Sequence, residues 1–367
     1  MRTVRIYDAF SMRLVTDVPC PAVVLAIEYI PDRNVLAVVL SDKTILFLDA
    51  GSPIYKTLRK LIVPNVQRCL CYVKRKEVLF SAGTNGAIFG WDLAKIFSAE
   101  FLEDELLREK EKRNFVYRNY ITEKTPWFVG DTILCMVDLP NINFLASGAY
   151  DKKIKLWDLR NSAIEGGGSG GGEGGAGGVG GGTAYASESS ARDKGQRKVK
   201  GGTSGTAVTS YENKKTKTSK KTEAKTEDPV EEYSKEPSKT LKGHEKAVRE
   251  IAYSERHKIL VSCGFDFEVF VWNPYYEKYI LKLEGHESPL VGVNCPMNLP
   301  CFITCDTNGM VKVWNINDYS CIQTFYVSNV NQVTCIRTVP KHRRLICGCK
   351  FVDLSRNIFL FACSTYI

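Results

Sequence analysis

The 367-residue chain is predicted to be all-β, built from a short antiparallel unit repeated along its length. Two observations predict this. Segments such as "KILVSCGF", "VFVWN" and "YILKLEG" are short, rich in β-branched and aromatic residues, and bounded by Gly, Asn and Asp turns. In addition, an aromatic-plus-acid dipeptide or a relic of one recurs at Tyr7-Asp8, Leu48-Asp49, Trp91-Asp92, Trp157-Asp158, Trp272-Asn273 and Trp314-Asn315, and Phe361 closes the series. The spacings are 41, 43, 66, 115, 42 and 47 residues. The two long ones hold visible insertions, and the rest lie at or close to the period of about 40–45 residues that marks one four-stranded unit.

A second marker runs in step with the first. Six residues before five of these positions stands a turn-forming residue: Asp42, Asn85, Asp151, Asp266 and Asn308. Four residues earlier again comes a hydroxyl in four cases, Ser81, Ser147, Ser262 and Thr304. His244 and His286 each follow a Gly and each sit 28 residues before their Trp.

This pattern resembles the WD40 repeat family over nearly all of the chain outside the insertions. The resemblance implies a β-propeller, in which radial repetition of four-stranded blades protects the sheet edges that an open sheet leaves exposed. It also implies a buried network within a blade: the turn Asp accepts from the His ring, the His bonds the strand hydroxyl, and the hydroxyl reaches the Trp indole. Such a chain leaves every buried polar group partnered. It maps onto His244–Ser262–Asp266–Trp272 and onto His286–Thr304–Asn308–Trp314, where Asn in place of Asp predicts a weaker network. Leu48 and Phe361 stand where the indole donor would be. On this reading the Ser, His and Asp residues are structural, and no catalytic, cofactor-binding or metal-binding residue is expected. The chain opens on "TVRIYD", a late strand of its unit, and ends soon after "NIFLFACSTYI". Six or seven blades can therefore be drawn, closed by pairing strands from the two ends or forming part of a longer two-propeller protein.

Composition excludes several classes. At 44% apolar and 11% aromatic the chain can bury a large core. Its longest apolar runs, such as "PAVVLAIEY", fall short of the roughly 18 residues of a membrane helix, and "MRTVRIYDAF" lacks an apolar signal region. The 13 cysteines recur inside apolar strands, as in "RCLCYV" and "LICGCK", where a thiol behaves as a small buried hydrophobe. Cys69-x-Cys71 and Cys347-x-Cys349 are poorly spaced for zinc. A reducing, cytoplasmic setting follows. Of the four histidines, His257 and His342 lie in the turns "ERHK" and "PKHRR". No nucleophile elbow, P-loop, HExxH or EF-hand loop is present, so no enzyme, cofactor or small-molecule substrate is expected.

The domain organisation expected is propeller blades over 1–93, a charged helical insertion over 94–128, a blade over 129–160, a Gly- and Lys-rich loop over 161–240 and blades over 241–367. The first insertion, "FLEDELLREKEKRNFVYRNYI", alternates opposite charges three or four apart, with Phe101, Leu102, Leu106 and Leu107 as an apolar face. It reads either as a solvated rim helix or as a partner-docking helix. The second, placed between the fourth and fifth blades, has 13 glycines in residues 166–182 and 11 Lys or Arg against 3 acids in residues 191–225. That basic block supports an alternative, nucleic-acid-associated or nuclear role, although Tyr185 and Tyr211 are too few aromatics for base stacking.

The function expected is a non-catalytic protein-interaction scaffold, with other proteins as partners and no membrane. Candidate contacts are Tyr275 and Tyr276 after "WNP", with Phe265 and Phe267 in the preceding turn; the competing reading packs these rings between blades. The segment "SCGFDFEVFVWNPYYEKYILKLEGHESPLVGV" further resembles WD-repeat proteins of the motile cilium, including the group that joins EF-hands to tandem propellers, through "VWNP" and "LxGHxxPLxGV". That resemblance implies a structural part of the axoneme, docked on microtubule-associated complexes. No EF-hand loop is present, so calcium binding is not carried over.

Overall fold

The structure is a computed structural model. It describes residues 2–8, 11, 13–111, 117–122, 126–160, 236–297, 299–327, 332–339, 344–350 and 359–363. The chain divides into two units, Met1–Ile164 with Val230–Ile367, and Glu165–Pro229. The second unit, with the Gly-rich run and the basic block, lies outside the described residues, as does His342.

The first unit is a succession of antiparallel sheets. Sheet one is β1 (Thr3–Tyr7) and β2 (Leu14–Pro19), and sheet two is β3 (Val24–Ile30), β4 (Val35–Leu40), β5 (Thr44–Asp49) and β6 (Thr57–Ile62). Sheet three is β7 (Gln67–Val73), β8 (Val78–Gly83), β9 (Ala87–Asp92) and β10 (Trp127–Phe128). Sheet four is β11 (Ile133–Leu139), β12 (Phe144–Ala149), β13 (Lys153–Asp158) and β14 (Lys239–Lys242). Sheet five is β15 (Val248–Ser254), β16 (Ile259–Gly264), β17 (Val269–Trp272) and β18 (Tyr279–Leu283). Sheet six is β19 (Leu290–Asn294), β20 (Cys301–Asp306), β21 (Met310–Asn315) and β22 (Cys321–Tyr326). Sheet seven is β23 (Gln332–Val339), β24 (Arg344–Lys350) and β25 (Phe359–Cys363). The first strands β3, β7, β11, β15, β19 and β23 lie side by side in chain order, so the sheets are propeller blades around a common centre. Seven sheets are present among the described residues. β1 pairs there with β2 and β25 with β24, instead of the two ends pairing with each other.

Alternation explains the core. Side chains of a strand point to opposite faces in turn, and a blade is covered on both faces, so its middle strands are apolar throughout. In β17, Phe270 and Trp272 enter the layer shared with sheet four, while Val269 and Val271 enter the layer shared with sheet six. In β4, Val38 and Leu40 pack towards sheet one, and Val35, Ala37 and Val39 towards sheet three. An apolar layer separates each successive pair of sheets. At about 25 cal/mol per Å2 of apolar surface removed from water, these layers are the main stabilising term.

Both insertions differ from expectation. Trp127 and Phe128, at the end of the first insertion, form β10 and pair with Ile88 and Ala87. The first insertion therefore joins the third and fourth strands of one blade. The second does likewise: β14 pairs with β13, so residues 159–238 connect strands of sheet four and do not separate two blades. The reason is that "KTLK" supplies the missing edge strand only after the insertion has ended. The helical segment comprises α1 (Leu93–Ile96) and α2 (Ala99–Glu111). Phe101 of α2 is buried edge-on against Tyr120, at 4.7 Å, whereas Leu102 and Leu106 face solvent. The predicted four-residue apolar face is thus divided, and the side chain of Leu107 lies outside the described residues.

Candidate functional site

The polar residues singled out by the repeat come together inside the blades. In sheet five, His244 Nδ1 lies 2.8 Å from Asp266 Oδ2 and His244 Nε2 2.7 Å from Ser262 Oγ. The Trp272 indole N–H donates to the same hydroxyl at 2.8 Å, and the Glu245 main-chain N–H donates to Asp266 at 2.9 Å. The His244 and Asp266 side chains are 1% and 3% exposed. One proton arrangement satisfies all four: indole to hydroxyl, hydroxyl to Nε2, Nδ1–H to carboxylate. Burial pushes the Asp266 carboxyl up, but the His244 ring and the amides around it outweigh burial and hold it below the ordinary aspartate value.

Sheet six repeats the arrangement with one correction. His286 Nε2 bonds Thr304 Oγ1 at 2.8 Å, and the Trp314 indole donates to it at 2.9 Å. The acid, however, is Asp306, whose Oδ2 is 3.1 Å from His286 Nδ1. Asn308 takes part only through its main-chain N–H, which donates to Asp306 Oδ1 at 3.0 Å. A true carboxylate therefore closes this network, and the weaker network expected from Asn308 is not formed. Spacing to Trp314 misplaced the acid because the acid here ends β20 instead of lying within the turn.

Two further blades keep half of the device. Trp91 donates to Ser81 at 2.8 Å and Trp157 to Ser147 at 2.9 Å. Trp127 stacks on Trp157 at 5.3 Å and on Phe80 at 5.5 Å, tying sheets three and four together. The second residue of the repeated dipeptide has its own role, which sequence reading missed. Asp49, Asp92, Asp158, Asn273 and Asn315 each accept a main-chain N–H two residues on, from Gly51, Ala94, Arg160, Tyr275 and Asn317. Each opens the turn after its third strand or, at Asp92, caps helix α1 (Leu93–Ile96), and either Asp or Asn supplies the accepting oxygen.

The order Ser262–His244–Asp266 is that of a nucleophile, base and orienting acid. Here Ser262 is fully buried, and its oxygen accepts the Trp272 indole and bonds His244 Nε2 within the blade. His257 bonds Ser254 at 3.0 Å in its turn, and burial, then Arg256, lowers its pKa.

The first strands line a central channel of about 680 Å3. It holds Arg68, Arg249 and Arg337 with Glu28 and Glu250, and Arg337 bonds Glu250 at 2.6 Å. Burial raises the Glu28 and Glu250 carboxyls, and Arg337 opposes this in both. Cys69 and Cys135 are buried along it, and desolvation pushes the Cys69 thiol up to about 12, the reverse of a reactive cysteine. Among the described residues no group of three or more His, Cys, Asp or Glu is placed to hold a metal ion. Among them, too, no helix is long and apolar enough to cross a membrane.

The candidate contact residues separate into two kinds. Tyr275 and Tyr276 stand exposed, Tyr276 at 68%, instead of packing between blades. Phe265 and Phe267 are half-buried: Phe265 lies against Tyr150 with ring centres 6.3 Å apart, and Lys246 sits 5.1 Å above the Phe267 ring.

Comparison with known proteins agrees with this geometry. Residues 127–158, 235–273 and 277–315 match the family described as "WD domain, G-beta repeat". The chain carries WD40 repeats over these segments, and its sheets are arranged as the blades of a β-propeller. It is similar to cilia- and flagella-associated protein 337 B of Tetrahymena thermophila, 25% identical over 286 residues, covering 76% of this chain and 15% of that protein. It is also similar to protein hir1 of Schizosaccharomyces pombe, 27% identical over 84 residues, covering 23% and 9% of the two chains. With the WD repeat-containing protein on Y chromosome of Anopheles gambiae it is 31% identical over 101 residues, covering 25% and 10%. The chain thus spans less than a sixth of the length of each of these relatives.

Proposed function

We propose that the chain is a non-catalytic protein-binding scaffold and a structural component of the ciliary axoneme, docked on microtubule-associated complexes. The observation that carries the scaffold reading is the closure of the polar clusters on themselves: His244, Ser262, Asp266 and Trp272 consume one another's hydrogen bonds, while Tyr275 and Tyr276 stand exposed on the surface beside them. Exposed aromatic side chains on turns held by a rigid framework are the residue types that anchor protein interfaces. Likeness to a cilia- and flagella-associated protein over most of this chain supports the axonemal placement.

The test is localisation and partner capture in ciliated cells. The full protein carrying a proximity-labelling tag is expected along the axoneme, with microtubule-associated proteins labelled, and a Tyr275→Ser/Tyr276→Ser variant is expected to lose part of that set. Absence of the tagged protein from cilia overturns the axonemal placement.

A further inference from the structure

The first strands of sheets two to seven share one irregularity. Each carries a β-bulge near its start, and the extra residues are Leu25, Arg68, Leu134, Arg249, Val291 and Thr334. A bulge interrupts the alternation of side chains and re-aims the inserted residue. Leu25, Arg68, Leu134 and Arg249 line the central channel. Two of the bulges thus bring a guanidinium to a wall that also holds Leu25, Leu134 and the thiols of Cys69 and Cys135.

A guanidinium in such a channel is best satisfied by a carboxylate, through two parallel hydrogen bonds. Glu250, the neighbour of Arg249, is committed elsewhere. Gly292 of sheet six clears its way, since a Cβ there would stand 2.8 Å from Glu250 Oε2. Glu250 takes the Val293 main-chain N–H and the Arg337 guanidinium of sheet seven, the latter at 2.6 Å. Arg249 keeps only the Thr334 carbonyl at 3.4 Å, the outer limit of a hydrogen bond. Its charge lowers the Cys69 and Cys135 thiols against burial, so the guanidinium stands towards sheets three and four. Arg68 is exposed and has no hydrogen-bond or ion-pair partner among the described residues. Glu28 is occupied by the Tyr72 main-chain N–H at 3.3 Å. The channel lining therefore holds Arg68, Arg249 and Arg337 against Glu28 and Glu250, three cations to two acids, with one positive charge to spare.

We propose that the channel is a carboxylate-binding site, in which Arg68 and Arg249 take the acidic side chain of an extended segment of a partner protein. The fork of an arginine suits the oxygens of a carboxylate and of a phosphate alike. The single spare charge, with Glu28 and Glu250 in the same channel, selects a monoanion over a dianionic phosphate. The wall of Leu and Cys residues strengthens the attraction by keeping water from the pair. The proposal rests on the scaffold reading and names the chemistry of one partner segment. Binding to the purified chain tests it separately from partner capture in cells.

The probe is the synthetic peptide Gly-Ala-Glu-Ala-Gly, acetylated and amidated at its ends, titrated into the full chain and followed by ligand-observed nuclear magnetic resonance. Saturable binding is expected. The same peptide with Gln for Glu, and the Arg68→Gln and Arg249→Gln variants, are each expected to bind at least about tenfold more weakly, the loss that one charge-assisted pair produces. Arg13→Gln, outside the channel, keeps binding. Arg68 is exposed, so Arg68→Gln is expected to melt as the parent does and decides the outcome if Arg249→Gln is destabilised. No saturable binding at millimolar peptide, equal binding of the Glu and Gln peptides, or binding unchanged in Arg68→Gln overturns the proposal. Tighter binding of inorganic phosphate or of a phosphoserine peptide overturns the choice of a carboxylate. Propionate binding as tightly as the peptide overturns the choice of a protein segment, because a free acid then suffices.

Discussion

His286 Nδ1 lies 3.1 Å from Asp306 Oδ2, while Asn308, six residues before Trp314, reaches that carboxylate only by its main-chain N–H. The acid that closes the sixth blade is therefore set by the end of β20, not by the repeat spacing.

Asp306→Ala is expected to destabilise the protein by about 2–4 kcal/mol, because it strands the buried His286 ring and two main-chain N–H groups, those of Asn308 and Met310. Asn308→Ala, at an exposed turn position, is expected to cost less than about 0.5 kcal/mol. Denaturant melts of the two variants decide the assignment; equal losses would return the acid's role to Asn308.

Ser81→Ala removes the acceptor of the Trp91 indole and is expected to cost about 1–3 kcal/mol. Trp91→Phe in the same background should add less than its cost alone, since the two residues share one hydrogen bond. A double-mutant cycle by thermal unfolding measures the coupling, and additive losses would mean that the bond contributes nothing.

The pH dependence has two limbs. Asp266 is held below its ordinary value of 3.8 in the folded state, so its contribution is fully present above that value and is lost as pH falls through the lower, folded pKa. Glu28, raised above 4.5 by burial, acts in the opposite sense: stability rises as pH falls from its raised pKa towards 4.5. Asp266→Asn should flatten the acid limb, and Glu28→Gln the shallow rise above pH 4.5. Melting temperature against pH for the three proteins checks both signs.

Tyr275→Ser/Tyr276→Ser should leave stability within about 0.5 kcal/mol, because Tyr276 is 68% exposed and Tyr275 is held through its main chain by Lys239 and Asn273. A clear fall in melting temperature would show that the rings serve the framework instead of a partner.

Much of the fold was legible because a repeat writes the same physics several times. The Trp272, His244, Ser262 and Asp266 positions announce a buried network by their spacing, and the structure joins them as read. Residues used once were less legible. Phe101 and Leu102 look alike in a helical pattern, yet only Phe101 meets Tyr120. β14 follows the long second insertion, and nothing local to "KTLK" says that its partner is Lys153–Leu156. Nor does the order of residues signal that Glu250 and Arg337, 87 residues apart, would meet in the channel.

By itself, then, the amino-acid order determined the repeating unit, its strands and the self-contained polar clusters, since period-two alternation and partnered burial act over a few residues or within one blade. Only the tertiary structure decided which acid serves His286 and which aromatic rings stay exposed. Those outcomes depend on which sheet packs against which, and the free energy of that packing is a property of surfaces brought together from distant parts of the chain.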